Sequence, residues 1–509
     1  MYNIITEPMS WLIGVPESSI RLFLILIIAY PIGYKYHELY VVKNPNANRQ
    51  TRNMYILGTG FALAFFFAGF HLIHSLVTIA ISYYLCYLGG QFHNRRAGTI
   101  AVWVFNSVYL LLGYYYAASD GYDINWTTSQ CVLCLRLMGF SMDYLDGANA
   151  KKDKDLSAKE LTGSHSFASD SPLQRLPKWH EFLGYCYFPS AFLIGPQFSF
   201  SLYSRFLSGP YNGVNIKNME HVKKVQFAYI IRCLSIGVIY IIILQTVGSY
   251  YPTSYVLTKE HAAQALLQRN ANYWLCGKMV YVKYVGVWLL TEGKYCYILH
   301  QYAYLYCKYI GASTYFGITF QENDKAGELS FSGLANSKPL EFELMTSVEH
   351  LIPTFNINTN LWVKQYIFKR LRFLGNKDLS QISALIFLAV WHGFHFSYFE
   401  TFFLEFAFIF IERILRARLY VPIIKPLIDQ NKYLLFCWKL IAWMTATTCL
   451  TYAMVGFDLL TFSKSVQAHN SVYWYAHVIT VALFIIHLSL GKRGLHNQQK
   501  KKKKKSSSS

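Results

Sequence analysis

An all-α, polytopic transmembrane bundle is the fold this sequence predicts, on three observations. Of its 509 residues 53% are hydrophobic and 17% aromatic, while only 15% carry charge, against about a quarter in a soluble globular domain. Several uncharged stretches approach the roughly 20 apolar residues that a helix needs to cross the hydrocarbon core. Those stretches are too long for the alternating strands of a β-barrel, and a bilayer offers no water to hydrogen-bond an open backbone, so helices remain.

Along the chain, the predicted spans are Ile20–Tyr34, Ala97–Ala117, Glu181–Leu202, Val225–Tyr251, Trp274–Leu299, Ile382–Phe399, Phe402–Ile411, Leu434–Leu460 and Val472–Leu490, several with one embedded charge such as Arg232 or Lys439. Met54–Leu88 contains no Lys, Arg, Asp or Glu and has the length of about two spans, or of one span and a re-entrant piece. The total comes to roughly nine to twelve membrane helices. They are too closely spaced for a large soluble domain, so residues 1–499 read as one multi-pass domain and 500–509 as a basic cytosolic tail. The N-terminus lacks a basic n-region and a small-residue cleavage site, and its first apolar segment is expected to stay in the protein as an anchor.

Net charge is +20, part of it in the run Lys500–Lys505. Lys and Arg collect on the cytoplasmic side and are drawn to anionic headgroups, which assigns the tail an orientation and a lipid rather than nucleic-acid surroundings. Ser506–Ser509 follow the run, so the lysines do not stand where a dilysine retrieval signal would need them. Ten cysteines are scattered, mostly through apolar runs. Cys131 and Cys134 form a CxxC without a second pair at zinc spacing, and they read as packing residues; no metal is expected.

Three polar stretches interrupt the apolar chain. Ala148–Lys178 and Gln321–Phe342 read as solvent loops. Asn360–Ser380 interleaves Leu361, Ile367, Leu371 and Leu374 with Lys364, Lys369, Arg370, Arg372 and Lys377, the pattern of a basic amphipathic segment lying in the interface with its apolar face in lipid. Asn125-Trp126-Thr127 is a glycosylation sequon at the edge of a span, too close to the membrane for use. No internal repeat is found, which weighs against a transporter.

Two clusters could carry chemistry. Trp391-His392-Gly393-Phe394-His395 lies in an otherwise apolar run, where ionisable groups are costly and usually face a cavity. Histidine takes a proton near neutral pH, and His392 and His395, at i and i+3, could share a helix face. A single intramembrane histidine is as often a packed core residue, and His71, His74, His477 and His487 are comparable by position alone. Upstream, Phe355-Asn356-Ile357-Asn358-Thr359-Asn360 gathers three amides. They could donate to a developing oxyanion or hold a hydroxyl beside a base; on composition alone, capping and turn formation explain them better.

The two clusters with a basic segment between them resemble the membrane-bound O-acyltransferase family, and within it the lysophospholipid acyltransferases. The resemblance is densest over FNINTNLWVKQYIFKRLRFLGNKDLS and LIFLAVWHGFHFSYFETFFLEF, and reaches Leu193–Gly209 (LIGPQFSFSLYSRFLSG), Trp288–Gly293 (WLLTEG), Ser141–Gly147 and Tyr30–Tyr36. It is thin over Gln321–Pro353 and the tail. The FYxDWWN-like motif of sterol and diacylglycerol acyltransferases is absent from the chain.

The resemblance implies a helical bundle around an internal catalytic chamber, in the endoplasmic-reticulum membrane. The acyl group of acyl-CoA would pass there to the sn-2 hydroxyl of a lysophospholipid, lysophosphatidylcholine first and the ethanolamine and serine lysolipids beside it. The family's catalytic histidine falls on His392 and its catalytic asparagine on Asn356. Asn358, Asn360, Trp391, His395 and Gln197 become substrate-binding candidates. Lys364, Lys369, Arg370 and Arg372 are candidates for the phosphates of CoA, which is a co-substrate; no cofactor is implied. Glu292 is expected near the chamber. Dimers occur in the wider family, which leaves a homodimer open. A protein acyltransferase, a transporter and a non-catalytic scaffold are the competing readings.

Overall fold

The structure, a computed structural model, describes residues 3–14, 16–117, 124–148, 172–209, 219–292, 316, 318, 321–323, 328–429 and 431–489. The lysine tail, most of the polar stretch 148–178, the side chain of Glu292 and the predicted span beyond 292 lie outside the described residues.

The chain is helical almost throughout. Its principal helices are α1 (Asn3–Ile13), α2 (Glu17–His37), α3 (Arg49–Ala68), α4 (Leu72–Gln91), α5 (Arg95–Tyr116), α6 (Trp126–Asp146), α7 (Trp179–Cys186), α8 (Phe200–Ser208), α9 (Met219–Tyr250), α10 (Leu266–Glu292), α11 (Ile357–Val363), α12 (Lys377–His392), α13 (Phe396–Leu415), α14 (Lys432–Leu459) and α15 (Phe462–Ser471), with α16 over Tyr475–Ser489. A short ribbon pairs β1 (Gln321–Asn323) with β2 (Glu328–Ser330) in the predicted loop.

Among the described residues, five stretches are long and apolar enough to cross a membrane: Glu17–Lys43, Arg49–Gln91, Arg95–Tyr116, Glu220–Leu257 and Lys432–Leu459; α15 and α16, meeting at 83°, make a sixth if the bent pair is one span. Four of the helices that line the site, α6, α10, α12 and α13, are not among them. The reason is visible in α6, which buries Arg136, Gln130 and Asp143 toward the bundle interior. A helix of that kind is paid no attention by a hydropathy count, because its polar groups are satisfied by protein rather than lipid.

Two predicted spans are broken. Glu181–Leu202 is not one helix: α7 stops at Cys186, turns occupy the residues around 188–194, and α8 starts at Phe200. Pro189, Gly195 and Pro196 disfavour a continuous helix, and the open backbone survives because it is enclosed by protein. The buried Arg136 guanidinium donates to the carbonyls of Tyr185 (3.1 Å), Cys186 (3.1 Å), Ala191 (2.9 Å) and Pro196 (3.4 Å). A buried carbonyl left without such a donor costs about 1–3 kcal/mol. Ile382–Phe399 is also not one helix, since α12 ends at His392 and α13 begins at Phe396, whereas Val472–Leu490 falls on α16 alone, which begins just after the bend at Tyr473 and Trp474, both of positive φ. The uncharged run at Met54–Leu88 resolves into two 20-residue helices, α3 and α4, separated by a tight turn at Gly69–His71.

Candidate active site

The WHGFH cluster is not inside a helix, as the sequence suggested, but at a break between two. α12 ends at His392, Gly393 takes φ +132°, and α13 begins at Phe396. That φ is open to glycine and strained for any side chain, so Gly393 lets the chain reverse immediately after the histidine. His392 and His395 therefore share no helix face, yet both line one cavity of about 410 Å³.

The fixing of His392 is indirect. Its neighbour Trp391 donates from Nε1 to the Cys131 carbonyl of α6 (3.0 Å), and the Tyr114 hydroxyl of α5 donates to the Trp391 carbonyl (2.9 Å). The imidazole itself is ringed by Trp391, Phe457, Tyr398 and Phe402, with centroids 4.6, 5.2, 5.4 and 5.6 Å away. Among the described residues no side chain or backbone group hydrogen-bonds its nitrogens. The ring is held by packing, and its polar atoms are left for whatever enters the cavity.

Asn356 lines the same cavity and is held in the opposite way. Its backbone is left-handed (φ 47°, ψ 44°), a conformation that asparagine tolerates better than most residues. The flanking chain pairs with the segment before it. Lys338 N–H donates to Thr354 O (2.9 Å), Ile357 N–H to Asn336 O (3.0 Å), and Ser337 bridges Phe355. The three amides of FNINTN divide the two roles that the sequence left open. Asn358 is buried and donates from Nδ2 to the carbonyls of Leu334 (3.0 Å) and Ala335 (3.1 Å). Asn360 borders the cavity and donates to Phe355 O (2.9 Å). Asn356 keeps its side-chain N–H₂ without a partner among the described residues.

Gln197 also lines the cavity; it donates to Val132 O (2.7 Å), and its Oε1 is buried with no partner among the described residues. Lys364, Lys369 and Arg372 are exposed and outside the cavity lining. Arg370 is half-buried in a paired, two-pronged contact with Asp146, Nη1 to Oδ1 at 2.8 Å and Nη2 to Oδ2. The amphipathic segment does not lie free on lipid. Trp362, Tyr366 and Arg370, four residues apart, reach Leu135 O (2.9 Å), Asp143 (2.8 Å) and Asp146 of α6. Gly139 makes room for this docking, since a Cβ there would stand 2.7 Å from the Trp362 indole nitrogen.

Other lining residues escaped the sequence reading. Tyr398, Thr401, Phe402 and Glu405 present one face of α13 to the cavity; their spacing of three, four and seven was the available signal. Lys283 of α10 lines it while paired with Asp458 (2.7 Å). Asn336 lines it from a loop with no periodicity at all. The sequon residue Asn125 is occupied as the cap of α6, accepting from Thr127 N–H at 2.9 Å. Cys131 and Cys134 lie along α6 and pack there, Cys134 Sγ against Asn106 O at 3.8 Å.

A largely apolar cavity that presents an imidazole and an amide N–H₂, neither with a partner among the described residues, can deprotonate a hydroxyl and stabilise an oxyanion. The helical bundle agrees with what the chain is similar to. It belongs to the membrane-bound O-acyltransferase family, whose sequence model, described as MBOAT, matches residues 111–457. Lysophospholipid acyltransferase 5 of Drosophila melanogaster is 32% identical over 92% of this chain and 86% of its own length. The protein of that name from Homo sapiens is 30% identical over 93% and 89%. A lysophospholipid acyltransferase of Schizosaccharomyces pombe is 24% identical over 94% and 88%. The chain is a multi-pass membrane protein of that family.

Proposed function

We infer that this protein is a lysophospholipid acyltransferase, moving the acyl group of acyl-CoA to the free sn-2 hydroxyl of a lysophospholipid, with lysophosphatidylcholine as the first acceptor and the ethanolamine and serine lysolipids beside it. The observation that carries the reading is that His392 and Asn356 line one largely apolar cavity, with no protein group among the described residues occupying either the imidazole or the amide N–H₂.

In this reading His392 is the general base. It takes the hydroxyl proton as the oxygen attacks the thioester carbon, and the C–S bond breaks as the tetrahedral centre collapses. The leaving CoA thiolate recovers the proton from the imidazolium, so acceptor ester and CoA thiol are the products. Asn356 donates to the oxygen that gains charge. Donors of this kind contribute about 3 kcal/mol each. Trp391 places the histidine, and Asn360, His395 and Gln197 border the substrates. Lys364, Lys369 and Arg372 meet the CoA phosphates at the cytosolic margin, while Arg370 and Asn358 act by holding the walls. The reaction needs no metal or cofactor.

The fuller picture has nine to twelve membrane helices in one domain over residues 1–499, a cytosolic tail at 500–509 and residence in the endoplasmic reticulum. The test is labelled acyl transfer in membranes expressing the chain, with acyl-CoA as donor and choline, ethanolamine and serine lysolipids as acceptors. CoA release matched to new diacyl phospholipid is the expected result. Transfer to a peptide but to no lysolipid, or solute flux without CoA release, would replace this reading.

A further inference from the structure

We propose that Asn336 is a positioning residue for Asn356: it fixes which end of the Asn356 amide faces the reacting groups. This rests on the reading of Asn356 as a hydrogen-bond donor to the reaction. Asn336 stands in the loop where the family resemblance is thinnest, and nothing in the motifs points to it.

Donor and acceptor order fixes the orientation of both amides. Carboxamide oxygen and nitrogen look alike in outline, so their orientation has to be deduced from partners whose role is unambiguous. The backbone N–H of Asn358 can only donate, and it meets the Asn336 side chain at 3.0 Å. The atom it meets must be the carbonyl oxygen, Oδ1. The Asn358 side-chain amide also donates to that oxygen, at 3.3 Å. With Oδ1 turned to Asn358, the nitrogen of Asn336 is the end that faces Asn356, 3.4 Å away. Because a nitrogen donates, the Asn356 atom opposite it is an oxygen. The Asn356 nitrogen, with both its protons, is thereby turned away from Asn336; it has no partner among the described residues, and Asn356 lines the cavity.

Asn336 is 5% exposed, and its backbone carbonyl accepts from Ile357 N–H at 3.0 Å. Its main chain and side chain thus grip residues 356–358 together. The left-handed backbone of Asn356 sets where the amide stands; Asn336 sets which way round it is. Without the second constraint the amide could rotate and present an acceptor, which repels a developing oxyanion instead of stabilising it.

The experiment is Asn336→Asp, studied in the wild-type and Asn356→Ala backgrounds. The carboxylate keeps the acceptor for both Asn358 donors but cannot donate to the Asn356 oxygen, so the Asn356 amide is expected to turn its nitrogen to Asp and its oxygen to the cavity. The kcat for acyl transfer should fall by about 10²-fold, the loss of one oxyanion donor, with KM for both substrates within about twofold. The ratio to wild type should rise as pH falls, because a protonated carboxyl donates again. In the Asn356→Ala background the same change should cost nothing further. A loss that recurs in that background, or full activity in Asn336→Asp while Asn356→Ala is slow, overturns the inference. Full activity of Asn356→Ala instead overturns the reading beneath it. Should Asn336→Asp fail to accumulate, Asn336→Ser, which keeps an acceptor and falls short of Asn356, is held to the same outcomes in kcat, KM and the Asn356→Ala background, with no recovery at low pH.

Discussion

The two arms of the site reach the cavity by contrasting means. His392 ends an apolar helix, and its ring is wedged among Trp391, Phe457, Tyr398 and Phe402. Asn356 stands in a short polar turn, strapped by hydrogen bonds to residues 334–338. Packing fixes the place of a ring and leaves its nitrogens free, whereas an amide needs a partner that decides which end points where. The comparison predicts that the histidine arm tolerates changes of polarity around it and the asparagine arm does not.

The largest effect expected is on the histidine itself. His392→Ala should slow acyl transfer by about 10²- to 10⁴-fold, the usual worth of a positioned base, with the protein accumulating normally. Asn356→Ala should cost about 10²- to 10³-fold in kcat with KM nearly unchanged, since the interaction develops in the transition state. Both are read from labelled acyl transfer normalised to expression.

Stability separates the walls behind the arms. Arg136→Met leaves four carbonyls of the loop after α7 without their donor, and at about 1–3 kcal/mol for each uncompensated group the thermal midpoint in detergent should fall sharply. Trp362→Phe removes one hydrogen bond to Leu135 O and should cost about 1 kcal/mol with activity largely kept. A fall as large as that of Arg136→Met would show that the basic segment, rather than the loop after α7, anchors α6.

The smallest effect lies at the end of α13. Arg413 donates to Glu349 at 2.8 Å, and that hydrogen bond holds the Glu349 carboxyl below its usual range. A depressed carboxylate lends its stability above its unfolded value and loses it only as pH falls through the lower folded one. Glu349→Gln should therefore cost under about 1 kcal/mol near neutral pH, because both partners are partly exposed, and should cost nothing in acid. A midpoint difference from wild type that persists in acid would sever the pair from the effect.

How far the sequence foretold this differs along the chain for physical reasons. His392 was legible as an ionisable residue in an apolar run, and Asn356 through the motif that surrounds it. The break at Gly393 was not, because an apolar run continues across it and hydropathy cannot see a reversal of direction. Arg136 went unread, because its partners are backbone carbonyls about fifty residues on, which no local pattern displays. The docking of Trp362, Tyr366 and Arg370 had a signal in their spacing of four, overshadowed by the leucines and isoleucine that suggested a lipid face. Asn336 had none, since its importance is a matter of which atom meets which.

The measurement closest to the central claim is a double-mutant cycle on His392 and Asn356 in acyl transfer to lysophosphatidylcholine. Groups that serve one transition state are far from additive, so His392→Ala with Asn356→Ala should be scarcely slower than His392→Ala alone. Losses that simply multiply, or wild-type rates in either single variant, would contradict a shared centre in this cavity.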